Sequence, residues 1–180
     1  MAGPENTPDS SAFGRLLHSE ARLLSRVTAV LRFDPAVYEE IEKDPHAIAQ
    51  AFAAVIATAL LAGLGQGSLA AIFVGIALAI LIWGGVTGLV WGVGVLMAGP
   101  ASHFPNLLRC LGFAYIWVGL LIGSGLPYLG VLFSWGAVLL YLASLVLATR
   151  QVLQTTTGRA TLISAIALGF PLLILLLVAG

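Results

Sequence analysis

"LAAIFVGIALAILIWGGVTGLVWGVGVLMA", residues 69–98, is a run of thirty positions without one charged side chain. At ~1.5 Å per residue it makes about 45 Å of helix, against a hydrocarbon core of ~30 Å. The run either crosses a bilayer once, with tilt or overhang, or splits into two crossings of about fifteen residues, too short for ordinary spans. That choice sets the side on which everything later in the chain emerges. Charge position decides it. Past Asp44 the only charged residues are Arg109, Arg150 and Arg159. With a single crossing, all three share a side with the N-terminal basic residues Arg15, Arg22, Arg26, Arg32 and Lys43, and the opposite turns, near 65–68 and 124–125, carry no charge. The positive-inside rule then places the N-terminus in the cytoplasm and the C-terminus outside.

The rest of the chain supports the same class. Of 180 residues, 59% are hydrophobic and 9% charged, where a soluble domain carries roughly 25% charged residues. Apolar runs at 46–64, 69–98, 107–123, 126–149 and 160–179 predict an all-α membrane protein with five transmembrane helices. Eight basic residues against eight acidic ones leave no excess charge to hold a nucleic-acid backbone, so nucleic acid is not an expected partner. The single cysteine, Cys110, excludes an internal disulfide and reads as a small apolar residue.

Ahead of the spans the pattern changes. Residues 1–12 lack a basic start and an apolar core, which argues against a cleavable signal, and are expected to be a disordered tail. From 13 to 33, Phe13, Leu17, Leu24, Val27 and Leu31 fall at helical spacing, with Arg15, His18, Arg22 and Arg26 largely opposite. Such a basic amphipathic helix either lies among lipid headgroups or packs on the protein. Then "DPAVYEEIEKDP", 34–45, gathers six of the chain's charges. Each Asp-Pro pair signals a helix start, with an Asp oxygen for unpaired N–H groups and Pro at the first helical position. A short acidic helix is expected from Pro35 to Lys43, with Glu39 and Lys43 paired at i,i+4. Residues 13–44 form a cytoplasmic segment, and 45–180 the membrane domain.

This acidic lead-in, the connector and third span "FPNLLRCLGFAYIWVGLL", and the end of the fourth span, "YLASLVLATRQVLQTTTGRA", resemble the Yip family of five-span membrane proteins in its bacterial form, from about Asp34 onward. Where that family often carries a Gly-Tyr pair and then a Pro, this chain has Gly112-Phe113 and Trp117. The resemblance implies an integral-membrane scaffold. In eukaryotic members that role is associated with Rab GTPases and vesicle trafficking.

Candidate sites follow from the few polar and small residues. Gly84, Gly88 and Gly92 form an unbroken G-x-x-x-G line, a surface for close helix approach; packing within the chain is favoured over contact with a second copy. Weaker pairs stand at Gly63/Gly67 and Gly119/Gly123. Arg109, Arg150 and Arg159 are expected to meet lipid headgroups or an acidic partner. Asp34, Tyr38, Glu39 and Glu42 are candidates for contact with a cytoplasmic partner. No Asp or Glu follows Pro45, which disfavours proton-coupled transport. Gln50, Thr58, Thr87, Tyr115, Ser134, Tyr141 and Ser144 are read as bonding to helix backbones or neighbouring helices rather than lining a path. His18, His46 and His103 have no metal-ligand spacing, Glu39-Glu40 reads as a solvated face, and no nucleophile-base order or phosphate loop is present. No cofactor or metal is expected. The function read from these features is a non-catalytic membrane scaffold in the bacterial cytoplasmic membrane, with membrane lipids and other membrane proteins or itself as partners. The alternative is a small permease or channel for an uncharged or lipid-like solute.

Overall fold

The computed structural model describes residues 9–99 and 103–179. The described chain is entirely helical: α1 (Asp9–Leu31), α2 (Ala36–Lys43), α3 (Ala47–Gly65), α4 (Leu69–Ala98), α5 (Phe104–Ala114), which continues as a 3₁₀ helix (Tyr115–Gly125), then α6 (Gly130–Val152) and α7 (Thr157–Ala179). Among the described residues, four segments are long and apolar enough to cross a membrane: Ala47–Gly65, Leu69–Met97, Phe104–Gly125 and Gly130–Val152. The run that decides the topology is one unbroken helix of thirty residues, not two short ones. Residues 9–12 of the expected tail already belong to α1, and residues 1–8 of it lie outside the described residues.

At both Asp-Pro pairs the Asp side chain closes a turn ahead of the helix, and the helix N-caps are Pro35 and His46, which make no side-chain cap bond. Asp34 Oδ1 accepts from the Ala36 N–H and Asp44 Oδ1 from the His46 N–H, each at 2.9 Å. Because the bonded N–H lies two residues on, each Pro falls inside the turn, and the helices start slightly later than the Pro itself. Between α1 and α2, Phe33 holds a left-handed backbone (φ 55°), uncommon for a residue with a bulky side chain. Its ring stacks on Trp117 of the 3₁₀ helix, centroids 5.0 Å apart and planes within 12°. The chain reverses there, so α1 and α2 form an antiparallel hairpin.

That hairpin is part of the bundle. Val30, Tyr38 and Ile41 are fully buried in the same core as Leu107, Leu111, Phe113 and Leu145. The sequence boundary at 44/45 therefore divides two stretches that share one core. α2 runs antiparallel along α5: Cys110 Sγ donates to the Tyr38 carbonyl at 3.5 Å, and Asn106 Nδ2 to Glu42 Oε1 at 3.2 Å.

The third span changes pitch halfway. Its 3₁₀ segment has eleven residues, where runs beyond three or four are uncommon. It is wedged between α3 and α6, and the fit depends on missing side chains. A Cβ on Gly65 would lie 2.5 Å from the Ile122 carbonyl oxygen, and one on Gly125 would run into the Gly65 oxygen. The same holds higher up, where a Cβ on Gly112 would come within 2.7 Å of the Ala51 methyl.

Candidate functional site

The densest polar chemistry in the described chain gathers where the hairpin meets the starts of α3 and α5. On α1 the inward stripe is Leu23, Val27 and Val30, and Arg26 lies on the same face. Leu24 and Leu31, which the spacing puts on the apolar face, are 65% and 42% exposed. The register of the amphipathic pattern is thus rotated, which carries Arg26 from the expected polar face into the protein. The side chains of Phe13, Arg15, Leu17 and His18 lie outside the described residues.

Arg26 is only 2% exposed, and burial of a guanidinium demands that its donors be satisfied. The site meets that demand with a planar fork. Nε donates to Glu40 Oε1 at 2.9 Å, Nη1 to Gln50 Oε1 at 2.5 Å, and Nη2 to Asp44 Oδ2 at 2.7 Å. One side chain thereby ties together α1, α2, the α2–α3 turn and the first turn of α3. Burial penalises the charge on Asp44, yet the hydrogen bonds from Arg26 and the His46 N–H, with the nearby positive charge, hold its carboxyl below the usual aspartate value. Beside the guanidinium, Ser25, Asp34, Val37 and Glu40 rim a polar hollow of about 250 Å³.

Two further locks fix α2. Tyr38, fully buried, shares a 2.5 Å hydrogen bond with Ser144 of α6. Burial pushes its phenol well above the ordinary tyrosine value, and the Ser144 bond offsets only part of that rise. Arg109 Nη1 donates to the carbonyls of Glu42 and Asp44, at 2.9 and 3.4 Å, so it clamps the exposed last carbonyls of α2.

These contacts revise several expected sites. Tyr38 is an anchor, not a contact for a partner, because none of its surface is accessible. Glu42 is engaged internally through both its carboxylate and its carbonyl. Arg109, half-buried, donates from Nη1 to the protein backbone; Arg150, half-buried, donates to Thr157 Oγ1 at 3.5 Å, and Arg159 is exposed. Asp34 and Glu39 do lie on the surface. Glu39 accepts from Lys43 Nζ at 2.5 Å in the anticipated i,i+4 pair, which lowers the carboxyl's pKa and raises that of the ammonium. Within the spans, Thr87 and Ser134 bond to the carbonyls four residues earlier, as anticipated. His46 and His103 are exposed, and the described residues contain no group of His, Cys, Asp or Glu able to hold a metal ion.

The glycine line is also relocated in meaning. A Cβ built on Gly84, Gly88 or Gly92 meets nothing within 4 Å among the described residues, and neighbours on that face, Leu81 and Trp91, are 53% and 41% exposed. Packing within the chain falls instead to Gly85 against Phe170 and Gly94 against Leu153. The line points away from the bundle.

The Arg26 network spans sequence separations of 14 to 24 residues, beyond the reach of local periodicity. The Leu23, Val27, Val30 spacing of i, i+4, i+7 was the one signal that could have placed Arg26 inside. No protein-family model matches the chain, and no curated protein or solved structure matches it either.

Proposed function

We propose that this multi-spanning helical membrane protein is a non-catalytic scaffold of the Yip type, with its α1–α2 hairpin as a fixed docking platform on the cytoplasmic face. One observation carries this reading: Arg26, Tyr38 and Arg109 bolt the hairpin to the bundle. The same arrangement leaves Asp34 and Glu39 turned outward. A platform held in one orientation loses less entropy on meeting a partner than a tether would. Its outward acids suit a basic partner segment.

The reading includes five crossings. α7 has twenty-three residues and a single charge, Arg159, at its third position, which gives about 35 Å of helix. Five spans put the platform and all the arginines on one side, in keeping with the positive-inside rule. A reporter active only outside the cell, fused after Gly180, is expected to be active. A cytosol-type signal there would remove both the fifth crossing and the assigned face of the platform. Purification in mild detergent is expected to recover a partner that is lost when residues 11–44 are deleted; a partner-free protein would count against the scaffold.

The outward glycine line supports self-association as part of the same role. Replacing Gly88 with Leu is expected to abolish crosslinked dimers in native membranes while the thermal midpoint holds or rises. Glycine costs a helix roughly 0.5–1 kcal/mol relative to a better helix former, and the new side chain meets nothing within the described chain. Dimers that persist in this variant would exclude the glycine face as the contact.

A further inference from the structure

The bundle carries apolar walls of two different heights. Both are measured from the end where the turns at 66–68 and 126–129 come together. There a Cβ on Gly125 would run into the Gly65 oxygen and one on Gly130 into the Ser124 oxygen, while one on Gly63 would lie 2.8 Å from the Ile72 Cα. Leu64, Leu69, Leu126 and Leu129 are exposed at this end, as befits a surface in contact with lipid. On the outward side of α4 the wall is tall. No charge interrupts Leu69–Ala98, and Trp91, exposed and edge to face with Phe104, stands about 33 Å above Leu69. Tryptophan is enriched at membrane borders, and this height fits a ~30 Å hydrocarbon core.

Across α5 the wall is short. Cys110, which bonds to the Tyr38 carbonyl, and Gly112, which lies against Trp83 of α4, are about 200° apart round that helix. The tip of the α1–α2 hairpin, residues 32–35, is held at Trp117 by the Phe33 stack. Only eight residues of 3₁₀ helix separate Trp117 from Gly125, which puts the tip about 16 Å from the common end. A second ruler agrees: Tyr38, further up α2, bonds to Ser144, about 21 Å above Gly130 along α6. From the tip upward, Arg32, Asp34, Glu39, Glu40 and Lys43 are all exposed.

A flat bilayer with a ~30 Å core resting on the common end would put the tip roughly 14 Å inside hydrocarbon. Exposed non-helical backbone is not tolerated there, and ionised side chains are expensive. Tilting the bundle would lift the tip out. It would also sink the turn at 126–129, which joins the two segments behind the hairpin and is equally non-helical and exposed, into the core from the other end. Thinning offends neither turn, and a membrane accepts mismatch at a modest cost per ångström. We infer that the leaflet on the hairpin's side is drawn in beside α2, with phospholipid headgroups and water reaching Arg32 and Asp34, and that the apolar layer narrows there to about 16–20 Å. Beside α4 it keeps its full depth. Neither the scaffold reading nor the count of spans enters this assignment.

The test uses the full chain, with Cys110→Ala to remove its native thiol, in vesicles of dioleoylphosphatidylcholine. Single nitroxide labels are placed through Arg32→Cys, Leu81→Cys or Tyr128→Cys, all at exposed positions. Leu81 is the internal standard, because it stands about 18 Å above Leu69 on α4, level with the hairpin tip. Collisions of each label with a water-soluble nickel chelate are compared with collisions with oxygen, which concentrates in hydrocarbon. The nickel-to-oxygen ratio is expected to be several-fold higher at residues 32 and 128 than at residue 81. Ala36→Cys, which keeps both charges of the tip, is expected to give the same high ratio as residue 32. Oxygen-dominated collisions at 32 or 36 would put the tip in lipid and overturn the proposal. Oxygen-dominated collisions at 128 with a wet tip would show a tilted bundle instead, and nickel-dominated collisions at 81 would show a border at one height all round; either overturns the thinning.

Discussion

Replacing Arg26 with Met is expected to destabilise the protein by roughly 3–5 kcal/mol, the range for removing one partner of a buried ion pair. Methionine keeps much of the bulk of the guanidinium side chain but none of its donors. Asp44, whose side chain is 18% exposed, would be left with a desolvated carboxylate, and Gln50 would lose a donor to its amide oxygen. Lysine should rescue poorly, because a single ammonium cannot address acceptors on three elements with a planar fork. Glu40→Gln makes the contrast. The Glu40 side chain is 58% exposed, so water replaces what is lost, and the change should stay within about 1 kcal/mol. The measurements are the thermal midpoint in detergent and the rate of tryptic cleavage in α1. An Arg26→Met protein as resistant as the wild type would mean that the hairpin is held by its apolar face alone.

The same lock has a pH signature. The folded Asp44 carboxyl titrates below its ordinary value of 3.8, so its stabilisation is complete above that value and is lost as pH falls through the lower folded one. Hairpin protection against trypsin-like cleavage cannot be read at such a pH, but hydrogen exchange of α1 and α2 can. Protection factors, the exchange rates divided by the intrinsic amide rates at each pH, are expected to fall in acid for the wild type and to be already low, and less acid-dependent, in Asp44→Asn.

Much of this architecture was legible in the sequence because its signals are local. The Asp-Pro pairs and the Glu39–Lys43 spacing depend on residues within one or two turns, the 69–98 run on one continuous stretch of chain, and each has its structural counterpart. What escaped was whatever depends on neighbours distant in sequence. From spacing alone Arg26 reads as solvent-facing, because Arg15, His18, Arg22 and Arg26 fall largely on one side of α1; its burial is set by Glu40, Asp44 and Gln50, which only the hairpin brings close. Tyr38 looked available because it stands among acids, while Ser144, 106 residues later, draws it inside. The glycines failed in the same way. Their spacing reports where a backbone is bare, and not which neighbour, if any, uses the gap.

Gly65 and Gly88 turn that last distinction into an experiment, with one substitution made at two helical glycines. A valine at residue 65 would place its Cβ between 2.5 and 2.8 Å from the oxygen, Cα and carbonyl carbon of Ile122. Every one of those atoms is backbone, so no rotamer change relieves the clash. The 3₁₀ helix would have to move bodily, and it is pinned from the other side by Phe133, whose ring already lies where a Cβ on Gly123 would go. Overpacking a fitted core costs typically about 1–3 kcal/mol and occasionally more; a backbone-to-backbone clash with no outlet belongs at or beyond the top of that range. A valine at residue 88 has open space around it among the described residues and should leave the midpoint of the monomer unchanged or slightly higher. Thermal unfolding of the two variants in the same detergent should therefore separate them by at least about 3 kcal/mol. If Gly65→Val unfolds with the wild type, the contact between α3 and the 3₁₀ helix has slack, and the pitch change in the third span needs a cause other than close approach to α3.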